Sequence, residues 1–289
     1  MPHRSRPPTD LGAALRGVRA LLLDLDGVIV LAGKAIPGAA EAIAELERRG
    51  LPYRIVTNTS AVSRETLSRW SAKLGAPIPP ERFESALSAS AAWTARHFKD
   101  RPLYVLASED ARTEFAGQRL LSHEDAGRRG ATAAAVLIGD SPEDATYDNL
   151  NRAFRLVLGG ATLIGMHRNG WWLTPDGPTL DSGAFVAGLE FATDRSATIV
   201  GKPSATFFSQ GVRDLRKEAG RDLARARIAM VGDDVRTDIR AAQRAGLRGI
   251  LVLSGKHGTA DIDAAAAERG GRWPDAVAPD LAAVVAALA

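Results

Sequence analysis

The sequence predicts an α/β protein built on a parallel sheet. Three observations carry that expectation. Several apolar runs are too hydrophobic to have a wet face, these runs alternate with helical segments closed by glycine, and four strand-to-helix junctions carry reactive polar residues.

The run VRALLLD (18–24) reads as a buried strand that ends in acid. PGAAEAIAELERRG (37–50) reads as a helix, with Pro37 near its start and Gly50 closing it after Arg48 and Arg49. LPYRIVT (51–57) is a second buried strand and SRETLSRWSAKLG (63–75) a second helix. Further strands are expected over 103–107, 133–139 and 161–166, and helices over 109–120 and 144–158. HRNGWWLTPDGPTLDSG (167–183) is rich in Gly, Pro and Asp and reads as a loop or hairpin. The last third returns to alternation, with strands over 197–201, 226–233 and 247–255 and helices over 204–220, 235–246 and 280–289. Residues 1–17 read as a loose tail or capping turn.

Composition narrows the function classes. The 289 residues allow one large or two modest domains. A formal net charge of +3 without a dense basic block implies no nucleic-acid surface. The absence of cysteine excludes disulfides, thiol catalysis and thiolate metal sites. The N-terminal MPHRSRPPTD is polar, and no run reaches the roughly 18–20 apolar residues of a membrane span, so no membrane partner and a cytoplasmic location are expected.

In open parallel sheets ligands bind at the carboxyl ends of the strands. Four junctions there carry chemistry. In LLLDLDGVIV (21–30), Asp24 and Asp26 lie two residues apart at a strand end, which points both to one side. They repel each other, and a hard divalent cation such as Mg²⁺ would neutralise them; a capping aspartate is the plainer reading of either one. In VTNTS (56–60), Thr57 and Asn58 could hold phosphate oxygens or simply form a turn and cap. In GKPSATFF (201–208), Lys202 offers a point charge ahead of Pro203, which suits a first helical turn. In MVGDDVRTD (230–238), Asp233 and Asp234 end a strand and Asp238 follows one turn on; metal binding competes with capping by Asp234 and with pairing of Asp238 to Arg236 or Arg240. Each is ordinary alone, but together they describe a site for a phosphoryl group plus Mg²⁺.

DLDGV, TN, GKP and GDDVRTD, in that order, resemble the four motifs of the haloacid dehalogenase superfamily. AIPGAAEAIAELERRGLPYRIVTNTSAVSRETL is similar to subfamily IIA, the 4-nitrophenylphosphatase-like enzymes. SEDARTEF, NRAFRLVLGGATLIGMHR, ATIVGKPSATFF and LVLSGKHG look closest to the branch of phospholysine phosphohistidine inorganic pyrophosphate phosphatase and related hydrolase-domain-containing proteins. The resemblance implies a Rossmann-like core over 1–85 and 194–289 with an α/β cap inserted over 86–193. It implies Asp24 as nucleophile and Asp26 as general acid and base. Mg²⁺ would be held by the Asp24 carboxylate, the Asp26 backbone carbonyl and Asp233. Thr57 and Asn58 would bind the phosphoryl oxygens, Lys202 would neutralise Asp24 and the phosphate, and Asp234 and Asp238 would reach a metal-bound water or orient Lys202.

The implied activity is Mg²⁺-dependent hydrolysis of a small phosphorylated substrate through an aspartyl-phosphate, with pyrophosphate or a P–N bond as the alternative target. A phosphoryl-accepting receiver domain is the rival from another class, but it lacks an inserted cap, and its acid pair precedes the accepting aspartate on another strand. A catalytically weak phosphoryl-binding protein is the other. The cap loop with His167, Arg168, Trp171 and Trp172 is expected either to overhang the site or to pack the cap's own core or a dimer interface. A homodimer through the cap is the expected assembly.

Overall fold

The structure, a computed structural model, describes residues 10–174, 176–256, 258–268 and 273–288. The chain divides into two compact units. One comprises Met1–Thr57, Ser68–Glu84 and Lys202–Ala289, the other Asn58–Leu67 and Ser85–Gly201.

The first unit is built on a six-stranded sheet in the order Ala276–Ala278, Arg248–Val252, Ile228–Gly232, Ala20–Leu23, Tyr53–Thr57, Phe83–Ser85. Ala20–Leu23 pairs in parallel with both neighbours, Leu23 lying opposite Val231 on one side and Ile55 on the other. All four residues of that strand are buried, as a strand covered on both faces requires. The chain proceeds outward from this strand in both directions, so the order switches between Ala20–Leu23 and Ile228–Gly232. The residues that follow those two strands, Asp24 and Asp233, therefore leave the sheet where open α/β sheets form their crevice.

Helices seat this sheet. Ala39–Arg48 buries Ala39, Ala42, Ile43 and Leu46, the spacing of one helical face, and starts from Gly38 in a left-handed conformation. Ala205–Ala219 buries Phe207, Phe208, Val212 and Leu215, each worth roughly 1.5–3 kcal/mol of transfer free energy. Its Gly211 lets the helix approach closely, since a Cβ there would lie 3.1 Å from Leu22 Cδ2. Ser204 caps this helix, so Pro203 stands before the cap rather than in the first turn.

The second unit has its own four-stranded parallel sheet, ordered Thr198–Ile199, Thr162–Gly165, Ala135–Ile138, Leu103–Leu106. Helices Tyr147–Leu158 and Ser182–Thr193 pack on one another and close a core around Tyr104, Val136, Leu156, Leu163, Val186 and Leu189. Residues 194–201, expected in the core, lie in this unit because Thr198–Ile199 adds to the edge of its sheet. Residues 58–67 also belong to it.

Local chemistry moved several expected elements. The helix expected over 109–120 is α-helical only over Glu109–Arg112, continues as a 3₁₀ turn to Phe115, and stops before Gly117, whose φ is 80°. The helix expected from 144 starts at Tyr147, because Thr146 caps it with its side chain on Asn149 N. Ala86–His97 and Ser182–Thr193 are helices that the sequence reading passed over; the first opens with a Ser85–Ser88 capping box. The 167–183 stretch contains an antiparallel hairpin, Trp171–Thr174 with Gly177–Leu180. Both tryptophans are solvent-exposed, at 62% and 53%, so neither packs the unit's core. Of the expected N-terminal tail, residues 1–9 lie outside the described residues, and Leu11–Leu15 is a short helix capped by Asp10. Among the described residues no helix is long and apolar enough to cross a membrane.

Candidate active site

The strand Ala20–Leu23 stops one residue before Asp24. The sheet still holds that residue, since Asp24 N donates to Val231 O at 2.9 Å. The chain then turns: Ile29 N and Val30 N both donate to Leu25 O, and Gly27 adopts a φ of 76°. The strand alternation expected to align Asp24 with Asp26 is therefore broken. Asp24 is buried while Asp26 keeps solvent-accessible surface.

Lys202 sits at the centre. Its ammonium lies 2.7 Å from Asp24 Oδ1 and 2.8 Å from Asp238 Oδ1, and its side chain is almost wholly buried. Leu25 N also donates to Asp24 Oδ1 at 2.8 Å. The Lys202–Asp238 contact is a buried ion pair. Carboxylate oxygens of Asp24, Asp233 and Asp238 come within 4.8 Å of one another.

The two acids left open in the sequence separate here. Asp234 caps the following helix: its Oδ1 accepts from Arg236 N and Thr237 N, both at 2.8 Å. That helix opens as a wide π turn over Val235–Arg240, which carries Asp238 back beneath Gly232, where a Cβ would stand 2.4 Å from Asp238 Oδ2. Asp238 faces Lys202, while Arg236 and Arg240 both pair with Glu268 instead.

Five carboxylates, Asp24, Asp26, Asp233, Asp234 and Asp238, share this edge with the ammonium groups of Lys202 and Lys256. The imbalance shows in their proton affinities. Burial raises the Asp24 pKa against the pull of Lys202, and Asp233 adds repulsion. The crowded surroundings of the Asp26 carboxyl desolvate and raise it too, with Lys202 opposing and Asp233 reinforcing. Asp233 is pushed up to about 6, by burial and then by Asp238. Asp238 is pushed up to about 8, by burial and then by Asp24. Burial disfavours the charge on Lys202, but Asp238 and Asp24 outweigh it and hold its pKa above the ordinary lysine value. An all-oxygen donor set with excess negative charge suits a hard divalent cation, whose charge would cancel the repulsion.

Thr57 ends the strand beside Ala20–Leu23 and is buried. Asn58, its neighbour in sequence, falls in the second unit, where its Nδ2 donates to Asn169 Oδ1 at 3.4 Å. The sequence reading missed the segment Ser254–Lys256, which places a backbone N–H on Asp233 and an ammonium on Asp234. The only sequence cue was a glycine after a buried strand in LVLSGKHG.

The second unit holds another buried cluster. His167, expected in an overhanging loop, is buried, with Nε2 3.0 Å from Asp140 Oδ2 and 3.6 Å from Asp181 Oδ1. Arg168 pairs with Glu190. Asn169 N donates to His167 Nδ1 at 3.3 Å, which leaves the ring proton on Nε2, facing Asp140. Both ring nitrogens therefore take part in hydrogen bonds, and the cluster forms a buried latch. Ser182 Oγ meets the same Nε2 at 3.0 Å, so no Ser–His–Asp relay runs through the ring.

Known proteins resemble this chain over most of its length. A haloacid dehalogenase-like hydrolase family model matches residues 21–120, and a HAD-hydrolase-like model matches residues 199–284. Haloacid dehalogenase-like hydrolase domain-containing protein 2 of Bos taurus is 38% identical over 255 residues, covering 87% of this chain and 90% of its own. Phospholysine phosphohistidine inorganic pyrophosphate phosphatase of Xenopus laevis is 32% identical over 260 residues, covering 87% and 89%. The structure of a p-nitrophenyl phosphatase from Archaeoglobus fulgidus superimposes with a TM-score of 0.81 at 26% identity, over 94% of this chain and 99% of that one. The chain belongs to the haloacid dehalogenase-like hydrolases, a family in which the Xenopus laevis and Archaeoglobus fulgidus proteins above are named phosphatases.

Proposed function

We propose that the protein is a Mg²⁺-dependent phosphatase that works through an aspartyl-phosphate on Asp24. The observation that carries the reading is Lys202, buried between Asp24 and Asp238 beside a cluster of acids richer in negative charge than its lysines can balance. Asp24, Asp233 and the main chain at Asp26 would hold the ion, which when bound offsets the repulsion between the nucleophile and an anionic phosphoryl group.

The Asp24 carboxylate attacks phosphorus. The bond to the leaving oxygen breaks, and Asp26 delivers its proton to that oxygen. The raised pKa of Asp26 suits this donor role, and its solvent exposure suits an acid that must reach a substrate. Asp26, now ionised, takes a proton from water. The hydroxide attacks phosphorus, releases inorganic phosphate and restores the Asp24 carboxylate. Lys202 balances the charge of Asp24 and of the phosphoryl oxygens throughout, Asp238 keeps Lys202 in place, and Thr57 and Asn58 donate to the phosphoryl group.

The second unit serves as the cap that selects a small phosphorylated substrate. Its exposed Trp171, Trp172 and Leu180 suit a homodimer contact, readable by sedimentation, and the protein acts in the cytoplasm. The Xenopus laevis relative is named for P–N and pyrophosphate substrates, so these bonds stand beside phosphomonoesters as targets.

The test is phosphate release from sugar, nucleotide and aryl phosphates, pyrophosphate and phosphohistidine, with Mg²⁺ and with chelator. Release that needs Mg²⁺ and vanishes in Asp24→Asn supports the proposal. Release that survives Asp24→Asn removes the nucleophile assignment, and release indifferent to chelator removes the ion.

A further inference from the structure

The loop after strand Arg248–Val252 touches the acids at two points and the turn beside Asp26 at a third. Ser254 Oγ donates to Gly27 O at 2.7 Å. Lys256 N donates to Asp233 Oδ2 at 2.8 Å, and the Lys256 ammonium lies 2.8 Å from Asp234 Oδ2. Between these contacts, Gly255 leaves no room for a side chain, since a Cβ would stand 2.1 Å from Asp233 Oδ2. A Cβ on Gly27 would meet the same oxygen at 2.3 Å, so the Asp233 carboxylate lies in a slot between two glycine backbones.

We propose that Lys256 is a positioning residue of this site, fixing Asp233 and Asp234 so that the acids can hold a divalent cation. An ion pair from a lysine that is 56% exposed is ordinarily worth little, because ordering both side chains costs what the charges gain. Here one partner is already ordered: Asp234 is nearly buried, and its Oδ1 is fixed by two helix N–H groups. Pinning the ammonium to Asp234 Oδ2 holds the loop, and the held loop keeps the N–H of the same residue on Asp233 Oδ2. Ser254 ties the other end of the loop to the turn that carries Asp24 and Asp26. Asp233 Oδ1 is then left for the cation, in one orientation.

The inference rests on the divalent-ion reading above, and calorimetric titration of Mg²⁺ into the full-length protein separates the two. Wild type should bind Mg²⁺, and Asp233→Asn should lose it. Lys256→Met, which keeps the stem and removes the charge, should weaken binding about tenfold. Lys256→Arg should bind close to wild type. Gly255→Ala, which displaces the loop without changing charge, should weaken binding as well. In turnover, Lys256→Met should raise the Mg²⁺ concentration for half-maximal rate while the rate at saturating Mg²⁺ is kept. Tighter or unchanged Mg²⁺ binding in Lys256→Met overturns the proposal, since a lysine that only repels the cation predicts tighter binding. If wild type takes up no Mg²⁺, the ion reading and this inference fall together. If wild type binds, Asp233→Asn does not, and Lys256→Met matches wild type, the ion reading stands and this inference fails.

Discussion

Replacing Lys202 with Met removes the ammonium at the centre of the cluster and keeps most of the side-chain volume. At 2.7 and 2.8 Å, each contact with Asp24 and Asp238 is worth about 6 kcal/mol of direct attraction at an effective dielectric of 20. Desolvation of the buried ammonium and carboxylates offsets much of this, and breaking a buried pair from one side typically costs about 3–5 kcal/mol. The expected result is a loss of that size in urea unfolding, and a fall in Tm on the order of 10 °C. The loss should also depend on pH. Without Lys202, Asp24 and Asp238 lose the charge that opposes their burial, so their folded pKa values rise further above the ordinary carboxylate value of 3.8. A folded state that binds protons more tightly than the unfolded one loses stability as pH rises. The deficit of Lys202→Met should therefore widen from pH 5 to pH 8, and added Mg²⁺ should narrow it. Turnover should fall at least about 10²–10³-fold, as when one fixed donor to a developing anion is removed. An unchanged Tm, or a deficit that shrinks as pH rises, would refute the claim that Lys202 neutralises the cluster.

Gly27→Ala should damage stability and turnover together. A left-handed backbone costs a non-glycine residue about 1–2 kcal/mol, and the new Cβ meets an Asp233 that Gly255 confines on its other side. Wild-type Tm and wild-type rates in this variant would show that the slot is not tight. Asp181→Asn tests the latch in the second unit. Burial, and then its hydrogen bond to Asp140, push the Asp181 carboxyl up to about 7. A raised acid contributes stability that is full below its unfolded pKa near 3.8 and is lost as pH climbs through about 7. The Tm of wild type should therefore fall more between pH 5 and pH 8 than that of Asp181→Asn, and equal slopes in the two proteins would contradict the raised Asp181 carboxyl.

The acids at strand ends were legible in sequence because burial writes itself as a run of aliphatics, and LLLDLD and IAMVGDD break that run at one place each. Lys202 was legible for a similar reason, a lone cation at a junction. The division of labour between Asp234 and Asp238 was not, since it depends on a π turn that no local pattern announces. Lys256 was invisible for another reason: a lysine in a glycine-containing loop looks like any surface lysine until the strand order places its loop against Asp233. The assignment of residues 194–201 failed because a two-residue strand, Thr198–Ile199, decides it by pairing rather than by composition. His167 lies in the expected loop but is buried rather than overhanging, because Asp140 and Ser182 satisfy it inside.

The covalent intermediate on Asp24 is most directly tested in Asp26→Asn with 4-nitrophenyl phosphate. That leaving group departs without a proton, so the first half-reaction needs no acid, while the second lacks its base. A burst of one nitrophenolate per enzyme should precede a stall. Acid quench and borohydride reduction of the trapped acyl phosphate should then turn residue 24 into homoserine. Nitrophenolate release with Asp24 recovered intact, or a reduced residue elsewhere in the chain, would contradict the aspartyl-phosphate mechanism.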